Sequence, residues 1–198
     1  SDGRVVHYDH LVNTMPLANF LKIVKQKPCE IDALNSKLRA TTVHYLDVGV
    51  RGKGAAGSDF HWVYFPEPEF VFYRVGSYSA VHAAMAPEGC RSYYVEISGG
   101  FEPYRDRIDE LKARVHQDLL AGGILADDDE VLFMDLCEIP HAYVCFDSNY
   151  EETRSAILEI LEQHDVQSCG RWGGWNYGGM EDALLEGRAA AYKINELA

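Results

Sequence analysis

Apolar positions along this chain change period several times, and each change marks an element. Residues 4–12 alternate apolar and polar side chains and read as a strand. Thr14 and Pro16 supply a cap and a first turn, after which Leu17, Phe20, Leu21 and Val24 recur on one helical face. Ile31, Leu34 and Leu38 predict a second short helix after Pro28. The stretch TTVHYLDVGV alternates and is rich in β-branched residues, so it reads as a strand, and RGKGAAGSD after it as a flexible turn or loop. Three aromatic-rich strand candidates follow: FHWVYFPE, FVFYRVGSYS and RSYYVEISG. The joins between them are too short for crossover helices, which makes them antiparallel neighbours.

Tyr104, Ile108, Leu111, Val115 and Leu119 repeat at helical spacing between Pro103 and about Ala121. EVLFMDLCEIPHAYVCFD predicts two strands or one bent strand, with Pro140 at an edge or a break. Ser148 with Glu151, and Asn149 with Glu152, repeat the capping-box spacing ahead of a helix whose buried stripe is Ile157, Ile160 and Leu161. VQSCG is a short strand leading into a glycine loop and an alanine-rich helix. The fold class is therefore α+β: a mixed, mostly antiparallel sheet of about six strands flanked by helices.

Composition narrows what such a fold can do. A chain of 198 residues, 47% hydrophobic and 12% aromatic, buries one core, or one domain and part of another. The net charge of −13 argues against a general nucleic-acid surface and leaves room only for a local anion site. The five cysteines are widely spaced with no C-x-x-C, which predicts buried free thiols in a reducing, cytoplasmic setting. No apolar run is long enough for a membrane span. The opening residues carry no initiator methionine and alternate at once, the expectation for a chain that begins partway through a fold.

Candidate chemistry concentrates in GRWGGWNYGGMEDALLEGRAAA. Its first eleven residues hold five glycines and three large aromatics, a large entropic cost for a loop ending at a helix N-terminus. Gly178 and Gly179 leave backbone amides and a partial positive charge at that N-terminus, and Arg171 adds a cation with bidentate reach. Ala183, Gly187, Ala190 and Ala191 give the helix a smooth face for close approach. This reads either as an anion or carbonyl site, or as a glycine loop packed on tryptophans.

The segment CGRWGGWNYGGMEDALLEGRAAA resembles the C-terminal flavin-binding segment of the FAD-dependent amine oxidase superfamily, which includes protoporphyrinogen oxidase-like proteins and UDP-galactopyranose mutases. YDHLVNTMPLANFL resembles the strand and turn that leave its flavin domain; HWVYFPEPEFVFYRVGSYS, SYYVEIS and IPHAYVCFD resemble its later strands. The resemblance implies a substrate-binding region over 1–164, and over 165–198 a terminal strand and helix belonging to the FAD-binding domain. It implies cofactor contacts at Gly170, Arg171, Tyr177, Gly179 and Met180, and substrate contacts at Arg74 and Tyr143. No G-x-G-x-x-G following a strand is read in the chain, which predicts that the βαβ unit for the ADP half of FAD is missing, so the implied partner is a missing N-terminal FAD-binding domain. Without that domain the chain is expected not to retain FAD.

Other constellations are weaker. Arg74 suits a structural ion pair with Glu67, Glu69 or Glu96 as well as a substrate contact. Cys137, His141 and Cys145 lie too far apart along a strand to share one ion, and no metal site is expected. No hydrolase elbow is present, and no catalytic acid or base emerges. Trp62, Tyr64, Tyr73, Tyr78, Tyr93 and Tyr94 either wall a pocket for a flat substrate or pack as sheet rings. Three functions stay open: part of an FAD-dependent oxidoreductase acting on a small molecule, part of a nucleotide-sugar mutase, or a non-catalytic binding module.

Overall fold

The computed structural model describes residues 3–52, 54, 59–97 and 99–197. The first half holds β1 (Leu11–Asn13), α1 (Leu17–Ile23), α2 (Glu30–Asn35), β2 (Ala40–Arg51), β3 (Trp62–Tyr64), β4 (Arg74–Ser77), α3 (Tyr78–Val81) and β5 (Cys90–Ile97). The second holds α4 (Ile108–Ala121), β6 (Glu130–Val144), α5 (Tyr150–Glu162), β7 (Val166–Ser168), α6 (Gly170–Gly173) and α7 (Met180–Leu197). Short 3-10 turns lie at Ala83–Met85 and Gly99–Tyr104. The chain divides into two compact units: residues 1–41 with 141–198, and residues 42–140.

The continuous unit, 42–140, is built on a five-stranded sheet in the order β3-β4-β5-β2-β6. β3 with β4, β4 with β5 and β5 with β2 are antiparallel, as the short joins require. One parity of each strand faces a core of Leu46, Val48, Val50, Val75, Tyr93, Val95 and Ile97, which α4 covers with Leu111, Val115 and Leu119. Pro140 interrupts nothing: β6 runs through it as one strand, and β6 is a sheet edge, where a missing N–H costs no ladder bond.

The expectation that no G-x-G-x-x-G follows a strand is wrong: RGKGAAG carries one at Gly52, Gly54 and Gly57 directly after β2. The next described element is the antiparallel strand β3 (Trp62–Tyr64), where a parallel βαβ unit would have a helix.

The discontinuous unit holds β1 and β7 as a parallel pair, with Leu11 opposite Val166 and Asn13 opposite Ser168. Leu17, Phe20 and Leu21 of α1, Ile31 of α2, Ile157 and Leu161 of α5, Val166 and Trp175 form its core. Each such aliphatic side chain contributes about 1.5–3 kcal/mol by leaving water. The strand expected over 4–12 shortens to Leu11–Asn13: Val5, Val6 and Tyr8 stay exposed, and none of residues 4–10 joins a strand ladder. Alternation alone does not make a strand without a partner. The doubled capping box is also absent, because Asn149 sits in helical backbone with no side-chain cap, and its amide bonds Asp147 Oδ1 at 3.0 Å. All five cysteines are free thiols, but none is buried as expected: Cys29 is exposed and the other four are half-buried. Among the described residues no helix is long and apolar enough to cross a membrane.

Candidate functional site

The loop from Gly170 to Gly179 lies within the discontinuous unit and is bound into it through its carbonyls. Ser168 Oγ donates to Gly173 O at 2.7 Å, Arg154 Nε to Gly174 O at 2.6 Å and Tyr150 Oη to Trp175 O at 2.9 Å. Burial pushes the Tyr150 phenol above its ordinary pKa and keeps it a donor. Gly170 takes φ +78°, where glycine is at no disadvantage, and Trp175, 1% exposed, takes φ +48°. Its ring fills the core beside His141, edge-on at 5.4 Å.

Arg171 gathers the rest. Its guanidinium donates to Ala142 O at 2.8 Å and to Gly178 O at 3.4 Å. The same group lies 5.3 Å from the Tyr143 ring centre and 4.9 Å from that of Tyr177, and the two rings are 5.8 Å apart. Trp172 Nε1 donates to His141 O at 2.9 Å, so two side chains of α6 tie the loop to the end of β6. Of the residues singled out from sequence, Arg171, Tyr143 and Tyr177 meet in one cluster. Gly179 precedes α7 by one residue, and Met180 opens that helix 88% exposed.

The amides are not idle. Gly170 N–H donates to Glu186 Oε2 at 2.6 Å, and Gly179 N–H to Asp182 Oδ2 at 2.7 Å. The second contact is half of a capping box, an acidic third residue reaching back to the amide before the helix; the spacing Gly179 to Asp182 carries that signal, though the glycines draw attention first. The first needs α7 folded back sixteen residues later, which no local pattern announces. Ala183, Gly187 and Ala191 face outward; the inward line of α7 is Glu186, Ala190 and Ile194. Cys169, preceding the loop, has its thiol pushed up by burial, with Glu186 adding to it, and is a poor nucleophile.

Arg74 lies in the other unit, on β4. It is ion-paired with Glu96 of β5, its register partner, and Tyr73 Oη donates to the same carboxylate. Tyr64 Oη accepts from Arg74 Nη1 at 3.2 Å. Of the three carboxylates suggested by sequence, the cross-strand one is the partner. Among the described residues no group of three or more histidine, cysteine or acidic side chains is placed to hold a metal.

A sheet-based unit joined to a unit with a parallel strand pair and a Gly-Arg loop is the fold of the FAD-dependent amine oxidase-like proteins. The crystal structure of a reduced UDP-galactopyranose mutase matches 100% of this chain at 25% identity with a TM-score of 0.86. A structure assigned as a protoporphyrinogen oxidase, from Exiguobacterium sp. 255-15, matches 96% at 12% identity and a TM-score of 0.67, which speaks for the fold alone. The chain spans 43% of the mutase and 42% of the second protein. No family model matches it.

Proposed function

We propose that the chain is the substrate-side portion of an FAD-dependent oxidoreductase and supplies one wall of its flavin site. The observation that carries this reading is the cluster of Arg171, Tyr143 and Tyr177 at the approach to α7. Beside it the surface is open: a β-carbon at Gly179 would touch only Asp182 Oδ2 at 3.8 Å, and Met180 is almost wholly exposed. A flat ring system fits against such a backbone, with the Arg171 guanidinium beside it as a fixed cation. Arg171, Tyr177, Gly179 and Met180 would hold the flavin, with Gly170 shaping the turn that presents Arg171. The flavin would supply the two-electron acceptor. The residues' part is to orient the ring, exclude water on one side and place a cation near it.

The ADP half of the cofactor requires a partner, an N-terminal dinucleotide-binding domain. The β1–β7 pair supports this, because parallel sheets are stable as larger layers covered on both faces and two short strands are marginal alone. A second reading, a nucleotide-sugar mutase with no net redox change, is favoured by the match to the mutase over the whole chain.

Both readings are tested by titrating FAD into the protein expressed from its complete reading frame and reading flavin absorbance and fluorescence. Arg171→Ala, or a bulky residue at Gly179, is expected to weaken FAD binding at least about tenfold. An intact fold with unchanged FAD affinity in both variants would sink the flavin-wall reading. Arg74→Ala, read on protein whose melting curve shows it still folded, separates the two: loss of UDP binding then supports the mutase, and unchanged UDP binding counts against it.

A further inference from the structure

The discontinuous unit holds a cavity of about 590 Å³ between the β1–β7 pair, α1, the connection from α1 into α2, and the last turn of α5. That volume falls within the range of small-molecule sites, roughly 300–1,000 Å³. Its floor is apolar: Phe20, Leu21, Ile31, Leu161 and Val166 are each 9% exposed or less. Its mouth is apolar as well but wet, with Tyr8 60% and Ile23 63% exposed. An aliphatic body lying across these two side chains would take both out of water. None of the lining residues belongs to the loop from Gly170 to Gly179.

Charge decides which kind of amphiphile the cavity takes. The chain carries 31 acidic residues against 18 basic ones, yet Lys25, Lys27 and His164 line this cavity and, among the described residues, no carboxylate does. Two of the three basic groups are already engaged. Lys27 Nζ donates to Leu21 O at 3.0 Å and pairs with Asp32 at 2.5 Å, closing the end of α1. His164 Nδ1 donates to Ile160 O at 2.8 Å at the end of α5. One carbonyl at each helix end, which would otherwise repel an anion, is thus occupied by a basic side chain. Lys25 is exposed and has no carboxylate partner among the described residues. A cationic amphiphile would meet like charge at this mouth. An anionic one gains the Lys25 ammonium and the apolar floor together.

We propose that this cavity binds an aliphatic carboxylate of medium or long chain, its tail on the floor of Phe20, Leu21 and Leu161 and its head group at Lys25. The proposal goes beyond the flavin-wall reading and does not depend on it. It is tested by calorimetry on the protein expressed from its complete reading frame, with dodecanoate, dodecyltrimethylammonium and butanoate below their micellar concentrations. Saturable dodecanoate binding is expected, at least about tenfold tighter than that of the ammonium although the chain is acidic, with no saturable butanoate binding. Lys25→Glu and Ile23→Glu should each weaken it about tenfold. Lys37→Glu, an equal change of charge on an exposed residue outside the cavity, should leave it unchanged, with cooperative melting curves for all three. No saturable dodecanoate binding, a preference for the ammonium, or equal affinity in folded Lys25→Glu and Lys37→Glu overturns it. Attachment to phosphatidylglycerol vesicles without binding of free dodecanoate overturns it in favour of a membrane contact. A dimer that Ile23→Glu splits, again without dodecanoate binding, overturns it in favour of a self-contact.

Discussion

Gly173 lies against the carbonyl of Asn13 so closely that a β-carbon there would overlap the oxygen and stand 3.0 Å from Thr14 Cα. The contact is backbone on backbone, so no side chain can swing away. Gly173→Ala should therefore destabilise the protein by about 1–3 kcal/mol, lowering the melting temperature by several degrees. Thermal and urea unfolding beside Gly187→Ala, where a β-carbon meets nothing within 4 Å, checks it. Equal stability of the two variants would refute the tight approach.

Arg171 acts through both its charge and its flat fork. Arg171→Ala removes two donors to the carbonyls of Ala142 and Gly178 and should cost about 1.5–3 kcal/mol. Arg171→Lys keeps the charge but cannot reach both carbonyls in one plane, so it should recover only part of that loss. Full recovery in urea unfolding would show that charge alone matters.

The pair of Arg74 and Glu96 is mostly buried, with the side chains 21% and 12% exposed. Arg74→Ala strands Glu96 in the sheet with Tyr73 as a remaining donor, and should destabilise by about 3 kcal/mol. The double variant Arg74→Met with Glu96→Leu should be markedly less damaging, because neither charge is left unpaired. Chemical denaturation of the three proteins decides this; an equally unstable double variant would contradict it.

His141 has its pKa lowered, first by burial and then by the nearby Lys22 charge. The folded state therefore binds its proton less readily than the unfolded chain does. Its contribution is present above the ordinary histidine range near 6.5 and is lost as pH falls through the lower folded value. Urea midpoints of the wild type should drop between about pH 7 and pH 5 more steeply than those of His141→Gln. Parallel profiles would assign the acid loss to other groups.

How much of this could be read in advance differs by element. β2 was legible because its alternation continues long enough to define a face, and α4 because its apolar residues keep helical spacing across fourteen positions. Residues 4–10 carry the same alternation as a true strand but lack a neighbour, and strand pairing is not a local property. The loop's glycines were visible, and so was Arg171. What was hidden is who satisfies whom: Glu186 on the Gly170 amide, Arg154 on Gly174 and Glu96 on Arg74 all need the folded register first.

The unit of residues 42–140 is entered within β2 and left within β6, which are adjacent strands, and Thr42 Oγ1 bonds Pro140 O at 3.1 Å. Its two ends thus meet. A segment bounded in this way can be replaced at a single seam without rethreading the Gly-Arg loop. Replacement at that seam would leave the turn at Gly170 and the helix after it in place.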